Sequence, residues 1–152
     1  MSKVAILIGS KSDKDNIKNC QKYLDYFGIE NELLILSAHR NPAQVAEFST
    51  KARGEGYVAI VAAAGMAAHL AGVVAAHTTL PVIGVPMPGS ALQGVDALYS
   101  TVQMPTGVPV ATMAIGSAGA ANAAIFIAEM LSLGSEKLEK KLTEFRKNGA
   151  RL

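Results

Sequence analysis

Residues 3–28 read KVAILIGSKSDKDNIKNCQKYLDYFG, and they form one unit: a strand, a tight turn and a helix. Lys3 to Ile8 is a short aliphatic run with strand character. Gly9 to Asp13 carries turn letters. From there Ile17, Cys20, Leu24 and Phe27 recur at steps of three and four, which makes one apolar helical stripe with Lys14, Lys18, Lys22 and Asp25 elsewhere. Gly28 stands where a helix is expected to end.

The same pattern repeats down the chain. Four further aliphatic runs read as strands: Glu32 to Leu36, Tyr57 to Ala62, Val82 to Val85 and Val108 to Ile115. Each is followed by turn residues and a helical stretch. Pro42 suits the first turn of the second helix, and Gly54 and Gly56 close it. The third helix is expected to begin near Ala67, the fourth near Gly94 and the fifth near Ala118. The fifth, through Ala120, Ala124, Ile125, Phe126, Ile127, Met130 and Leu131, is apolar nearly all round, which makes it a candidate subunit contact. A charged amphipathic helix over about 135–148, with Leu138, Leu142 and Phe145 as a thin seam, is expected to cap the domain.

Strand and helix alternating five times predict a three-layer αβα, doubly wound five-stranded parallel sheet with right-handed crossovers. A flavodoxin-like order 2-1-3-4-5 is expected. In such sheets ligands bind beyond the carboxyl ends of the strands, beside strand 1, so the loops after strands 1, 2 and 3 should meet there. Nothing resembles a repeat or a long linker, and residues 1–152 are expected to be a single domain.

The composition excludes several classes of function. Half of the 152 residues are apolar and 17% are charged, which excludes disorder; a net charge of +2 gives no basis for a nucleic-acid or membrane partner. The weakly polar stretch from Tyr57 to Ala76 is mostly Ala and Gly and carries His69, so it does not read as a membrane span. A lone cysteine cannot form an internal disulfide, and Met1 to Lys3 does not resemble a secretory leader, so a cytoplasmic location is expected. From Gly56 to Ala128 the only Asp, Glu, Lys or Arg is Asp96. A stretch of that length with one charge cannot all be internal, and it predicts an extensive apolar contact between copies of the chain.

Three loops carry the chemistry. After strand 1, Gly9 permits a tight exit, and Ser10 and Ser12 present hydroxyls beside the unpaired N–H groups of the next helix. Ser12 or Asp13 could equally cap that helix. Asp13 would repel a phosphate, so a ribose hydroxyl is its better partner. The spacing is neither a Walker nor a dinucleotide signature. After strand 2 come Ser37, Ala38, His39, Arg40, Asn41 and Pro42. Arg40 offers a positive fork suited to phosphate, and His39 is the best acid/base candidate in the chain. After strand 3, the segment Ala63 to Gly72 contains Gly65, Met66, Ala67, His69 and Leu70. Its small residues allow close approach of a planar ligand. His69, expected inside an apolar helix, is either a second polar site residue or a buried structural histidine. His77 and Cys20 have no companions that would make a metal site or a nucleophile, and Asp96 most simply favours the start of the fourth helix.

Taken together, Gly9-Ser10-Lys11-Ser12-Asp13, Ser37-Ala38-His39-Arg40, Ala67-Ala68-His69-Leu70, Pro81-Val82-Ile83-Gly84-Val85-Pro86 and Val102-Gln103-Met104-Pro105 closely resemble the class I N5-carboxyaminoimidazole ribonucleotide mutases of bacterial purine biosynthesis. The resemblance implies a cofactor-free, metal-free isomerase that moves a carboxyl group from an exocyclic nitrogen to the neighbouring ring carbon through trapped carbon dioxide. It implies His39 as the proton carrier, Ser10, Asp13 and Arg40 as ribonucleotide contacts, and Ser12, Ser37 and Ala38 along the same loops. It implies that Gly65, Met66, Ala67, His69 and Leu70 enclose the base and the migrating group. It also implies a flavodoxin-like octamer with sites at subunit junctions, to which Gln103 to Gly107 is a candidate contribution. Met66 and Ala71 depart from the family's usual glycine and proline, and Asn41 from a common threonine. The alternatives are a class II aminoimidazole ribonucleotide carboxylase using free carbon dioxide and a non-catalytic nucleotide-binding module on the same fold.

Overall fold

The computed structural model describes residues 3–152. Five parallel strands form one sheet in the order β2-β1-β3-β4-β5: β1 Lys3–Ile8, β2 Glu30–Ile35, β3 Tyr57–Gly65, β4 Val82–Met87 and β5 Ala111–Thr112. The helices are α1 Lys14–Phe27, α2 Pro42–Lys51, α3 Leu70–His77, α4 Val95–Val102, α5 Ser117–Ser132 and α6 Glu136–Lys147. The expected order and layering are both present.

Alternation along β1 explains the two cores. Val4, Ile6 and Ile8 point to one face and pack with α1, α5 and α6; Ala5 and Leu7 point to the other and pack with α2 and α3. Every one of these strand residues is fully buried. Gly28, at φ 73°, ends α1, and its N–H donates to the carbonyls of Leu24 and Asp25. The C-terminal seam goes deeper than a thin contact. Phe145 is buried edge-on against Tyr23 and Phe27, and tilted against Tyr26, so α6 is bolted to α1 by aromatic packing.

The fifth strand is much shorter than expected, two residues instead of Val108 to Ile115. Pro109 has no N–H to donate to the ladder, and only β4 lies beside this edge. Past Thr112 the chain keeps two further bonds to β4, Met113 N–H to the Gly84 carbonyl and Gly116 N–H to the Pro86 carbonyl, both at 2.9 Å, outside the regular ladder. Strands β3 and β4 run longer than expected, since Ala63, Ala64 and Gly65 stay in register with Val85, Pro86 and Met87. The third helix starts at Leu70, not near Ala67, because Met66 sits at φ 55°, outside the helical region. His69 therefore precedes the helix instead of lying within it.

Two glycines admit close packing. A Cβ on Gly84 would lie 2.4 Å from Thr101 Cγ2, so its absence lets α4 rest on β4. A Cβ on Gly119 would lie 1.7 Å from the Ala114 carbonyl oxygen, so α5 can begin only with glycine there. Among the described residues no helix is long and apolar enough to cross a membrane.

Candidate functional site

The loops leaving β1, β2 and β3 meet at one mouth of the sheet. They enclose a cleft of about 430 Å³ lined by Ser10, Ser12, Asp13, Ser37, Ala38, His39, Arg40, Gly65, Met66, Ala67, His69 and Leu70. That volume lies within the roughly 300–1,000 Å³ of small-molecule sites. Every site residue expected from the sequence is there. Gly9, Ala64 and Ala68 of the same loops also line it, as do Pro88 and Gly89 beyond β4. The last two were missed, although a Pro-Gly pair directly after a central strand is a turn signal at the ligand-binding end of the sheet.

The first loop is held by its own serines. Ser10 is extended at φ −148°, and its Oγ accepts from the Ser12 N–H at 3.3 Å and from the Ser12 hydroxyl at 2.9 Å. Ser10 thus caps the short 3-10 turn Lys11–Asp13, the role the sequence left open for Ser12 or Asp13. Asp13 makes no capping bond. Burial pushes its carboxyl above the ordinary value, partly opposed by a hydrogen bond with the Ser10 backbone. Among the described residues this carboxylate has no ion-pair partner, so it is prepared to accept hydrogen bonds from a ligand's hydroxyl groups.

The second loop is a closed turn. Ser37 Oγ accepts from the Arg40 N–H at 3.2 Å, and the Ser37 carbonyl accepts from the Asn41 N–H at 2.8 Å. This turn lifts His39 and Arg40 out of the β2 edge into the cleft. Among the described residues the Arg40 guanidinium has no ion-pair partner, which leaves its fork available to an anion.

The third loop brings the second histidine to the first. His39 Nε2 and His69 Nδ1 are 2.6 Å apart, with ring centroids 4.8 Å apart and ring planes at 82°. His69 is exposed, so the buried structural alternative does not hold. Small residues make the approach possible: Ala67 and Ala68 add little bulk, and Gly65 passes the Met87 carbonyl with only 3.3 Å to spare for a Cβ. Met66 lines the cleft in a left-handed conformation that costs a bulky residue roughly 1–2 kcal/mol.

The other candidates are structural. His77 Nδ1 contacts the Val73 carbonyl at 2.8 Å at the end of α3. Cys20 is buried, and its thiol is pushed up to about 12, so it is held protonated. Asp96, in the first turn of α4, accepts from the Ser90 hydroxyl at 2.8 Å. Among the described residues no group of three or more His, Cys, Asp or Glu side chains could hold a metal ion.

Known proteins match this chain along nearly its whole length. It is 49% identical over 144 residues to the N5-carboxyaminoimidazole ribonucleotide mutase of Vibrio vulnificus, covering 95% of this chain and 89% of that one. The protein of the same name from Bacillus subtilis is 50% identical over 145 residues, covering 95% and 90%. In Escherichia coli K12 it is 45% identical over 146 residues, covering 96% and 86%. The crystal structure of Treponema denticola PurE superposes with a TM-score of 0.88 at 26% identity, covering 99% of this chain and 92% of that one. The model of the AIR carboxylase family matches residues 3–151, and with that match and this fold the chain belongs to the AIR carboxylase family.

Proposed function

We propose that this protein is an N5-carboxyaminoimidazole ribonucleotide mutase of purine biosynthesis, with His39 as its proton carrier. The activity is that of relatives 45–50% identical over most of the chain. The observation that supports the role of His39 is its place in the cleft, which Arg40 also lines, in contact with the ring of His69.

Arg40 binds the ribonucleotide phosphate, Ser10 donates to its oxygens, Ser12 does so once its hydroxyl turns away from Ser10 Oγ, and Asp13 accepts from a ribose hydroxyl. The base then lies against the small-residue wall of Ala38, Gly65 and Ala67, with Leu70 behind it. The carbon–nitrogen bond of the carbamate breaks as His39 gives a proton to the exocyclic nitrogen, and the carboxyl group leaves as neutral carbon dioxide. The neighbouring ring carbon attacks that carbon dioxide, a carbon–carbon bond forms, and His39 removes the proton from the same ring carbon. The histidine ends protonated as it began, and no external acid, base or cofactor is consumed. The contact with His69 holds the His39 ring in one orientation and one tautomer. Ser37 keeps the turn that carries both His39 and Arg40.

The competing chemistry on this scaffold is direct carboxylation of the aminoimidazole ribonucleotide by free carbon dioxide. Bicarbonate dependence separates the two. The mutase converts freshly made carbamate in bicarbonate-free buffer faster than the carbamate decays; a strict need for added bicarbonate would establish the carboxylase.

The chain works as one unit over residues 1–152, in the cytoplasm, as a homo-oligomer with an octamer as the expected form. Exposed Val95, Tyr99 and Val102 fall on one face of α4, with exposed Leu92 just before it. They supply an apolar surface for a neighbouring copy, near the Gln103 to Gly107 segment. Placing a charge there, as in Tyr99→Glu, should lower the sedimentation coefficient of the assembly.

A further inference from the structure

Asp96, the only Asp, Glu, Lys or Arg between Gly56 and Ala128, is spent on the loop that follows β4. It is half-buried and accepts from the Ser90 hydroxyl at 2.8 Å. Ser90 is the hub of that loop. Its Oγ also accepts from the Leu92 N–H at 3.1 Å, and its carbonyl accepts from the Gln93 N–H at 3.0 Å. The backbone here needs such fastening, because Gly89, Gln93 and Gly94 all take positive φ, at 121°, 52° and 89°. Gln93 lacks the freedom of glycine, and a position of that kind persists only where the surrounding contacts over-determine it. The start of the same loop is a wall of the cleft, since Pro88 and Gly89 line it. That wall adjoins the end of β3: a Cβ on Gly65 would lie 3.3 Å from the Met87 carbonyl oxygen and 3.8 Å from that of Pro88. On the other side, a Cβ on Gly94 would lie 3.4 Å from Pro88 Cα, so the entry to α4 rests on the wall.

We propose that Asp96 is a positioning residue for ribonucleotide binding: through Ser90 it ties the Pro88–Gly89 wall to the first turn of α4 and so fixes the cleft beside Gly65. The inference rests on the mutase reading above and adds to it a residue that touches neither substrate nor the transferred proton. Favouring the start of α4 would need only a negative charge near its unpaired N–H groups. The bond to Ser90 asks for more, an acceptor oxygen at one place, and a carboxylate makes that bond stronger than a neutral group would. Without it the turn loses the anchor six residues along the chain, its positive φ values relax, and Gly89 moves with them. The ligand is then held less closely. His39, carried on a different loop, keeps its proton chemistry, so the loss falls on binding common to ground and transition states.

The test is steady-state turnover of freshly made N5-carboxyaminoimidazole ribonucleotide, with binding of the ring-carboxylated product ribonucleotide measured by calorimetry. Ser90→Ala and Asp96→Ala should each raise KM and the product's Kd about fivefold or more, the worth of one hydrogen bond, with kcat and its pH profile little changed. The double variant should bind no more weakly than either single one, because both remove the same bond. Asp96→Asn keeps an oxygen acceptor for Ser90 but no charge, and should recover most of the affinity. If Asp96→Ala does not fold, Ser90→Ala and Asp96→Asn still decide the matter. Unchanged KM and Kd in Ser90→Ala, a loss confined to kcat, or an Asp96→Asn variant as weak as Ser90→Ala overturns the proposal while leaving the mutase reading intact. A wild type that binds the product but turns over no carbamate overturns the mutase reading alone, since the affinities of the variants still test the wall.

Discussion

His39 and His69 come from different loops and meet nitrogen to nitrogen at 2.6 Å, so one ring must offer an N–H and the other a bare lone pair. One proton serves the contact. Among the described residues the other His39 nitrogen, Nδ1, makes no hydrogen bond, and the contact fixes how the ring presents itself to a ligand. His69 is therefore a positioning residue, and its loss should differ in kind from the loss of His39. His69→Leu should lower kcat about tenfold or more with a smaller change in KM, and His69→Asn, which keeps a hydrogen-bonding atom, should recover part of it. Steady-state kinetics of the two variants check this; equal damage from both would reduce His69 to a space filler.

Asp13 should show a trade between binding and stability. Its folded-state acidity is weakened by burial, so the ionised carboxylate disfavours the fold above the unfolded value of 3.8. Asp13→Asn should raise the neutral-pH unfolding temperature slightly, and the gain should vanish as pH falls through the folded-state value and below 3.8. The same change should weaken ribonucleotide binding by about 1.5–3 kcal/mol, the usual loss of a hydrogen bond to a charged group. Calorimetry of binding and of unfolding measures both.

At the opposite end of the sheet, Lys3 Nζ lies 2.7 Å from Glu32 Oε2, and the Tyr57 hydroxyl donates to the same oxygen. The hydrogen bond from Lys3, then that from Tyr57, holds the Glu32 carboxyl below its ordinary 4.5. Its contribution to stability is complete above 4.5 and lost as pH falls through the lower folded-state value. Lys3 is raised above its ordinary 10.5 by Glu32 first, so its share is complete below 10.5 and lost only in stronger alkali. Glu32→Gln should cost a modest amount at neutral pH, since the pair is partly solvated, and nothing in strong acid. Urea titrations of both proteins across acid pH resolve the difference.

Gly119→Ala should destabilise the fold by about 3 kcal/mol, because the new methyl group collides with the Ala114 backbone and not with a side chain that could swing away. A urea midpoint unchanged from wild type would mean that the start of α5 can shift.

Much of this was legible in the letters. Lys3 to Ile8 and the Ile17, Cys20, Leu24, Phe27 stripe announced the first unit, and five such units imply the strand order and the end at which loops converge. The gathering of the site residues at one cleft followed from topology alone. What stayed hidden was set by backbone geometry or by contacts distant in sequence. Nothing in the letters shows that Met66 adopts a positive φ, so the third helix was expected too early and His69 was placed inside it. The approach of His39 to His69 crosses thirty positions of sequence and has no local signature. The two-residue β5 reflects Pro109 and an edge position, which an aliphatic run conceals.

The most direct test of the central claim is turnover of freshly made N5-carboxyaminoimidazole ribonucleotide by wild type and His39→Asn, side by side in bicarbonate-free buffer, with binding of the ribonucleotide measured in parallel. The account predicts that wild type outruns spontaneous decay, while the variant binds the ribonucleotide with similar affinity but turns over roughly a hundred- to ten-thousand-fold more slowly. A variant that matches the wild-type rate would contradict it.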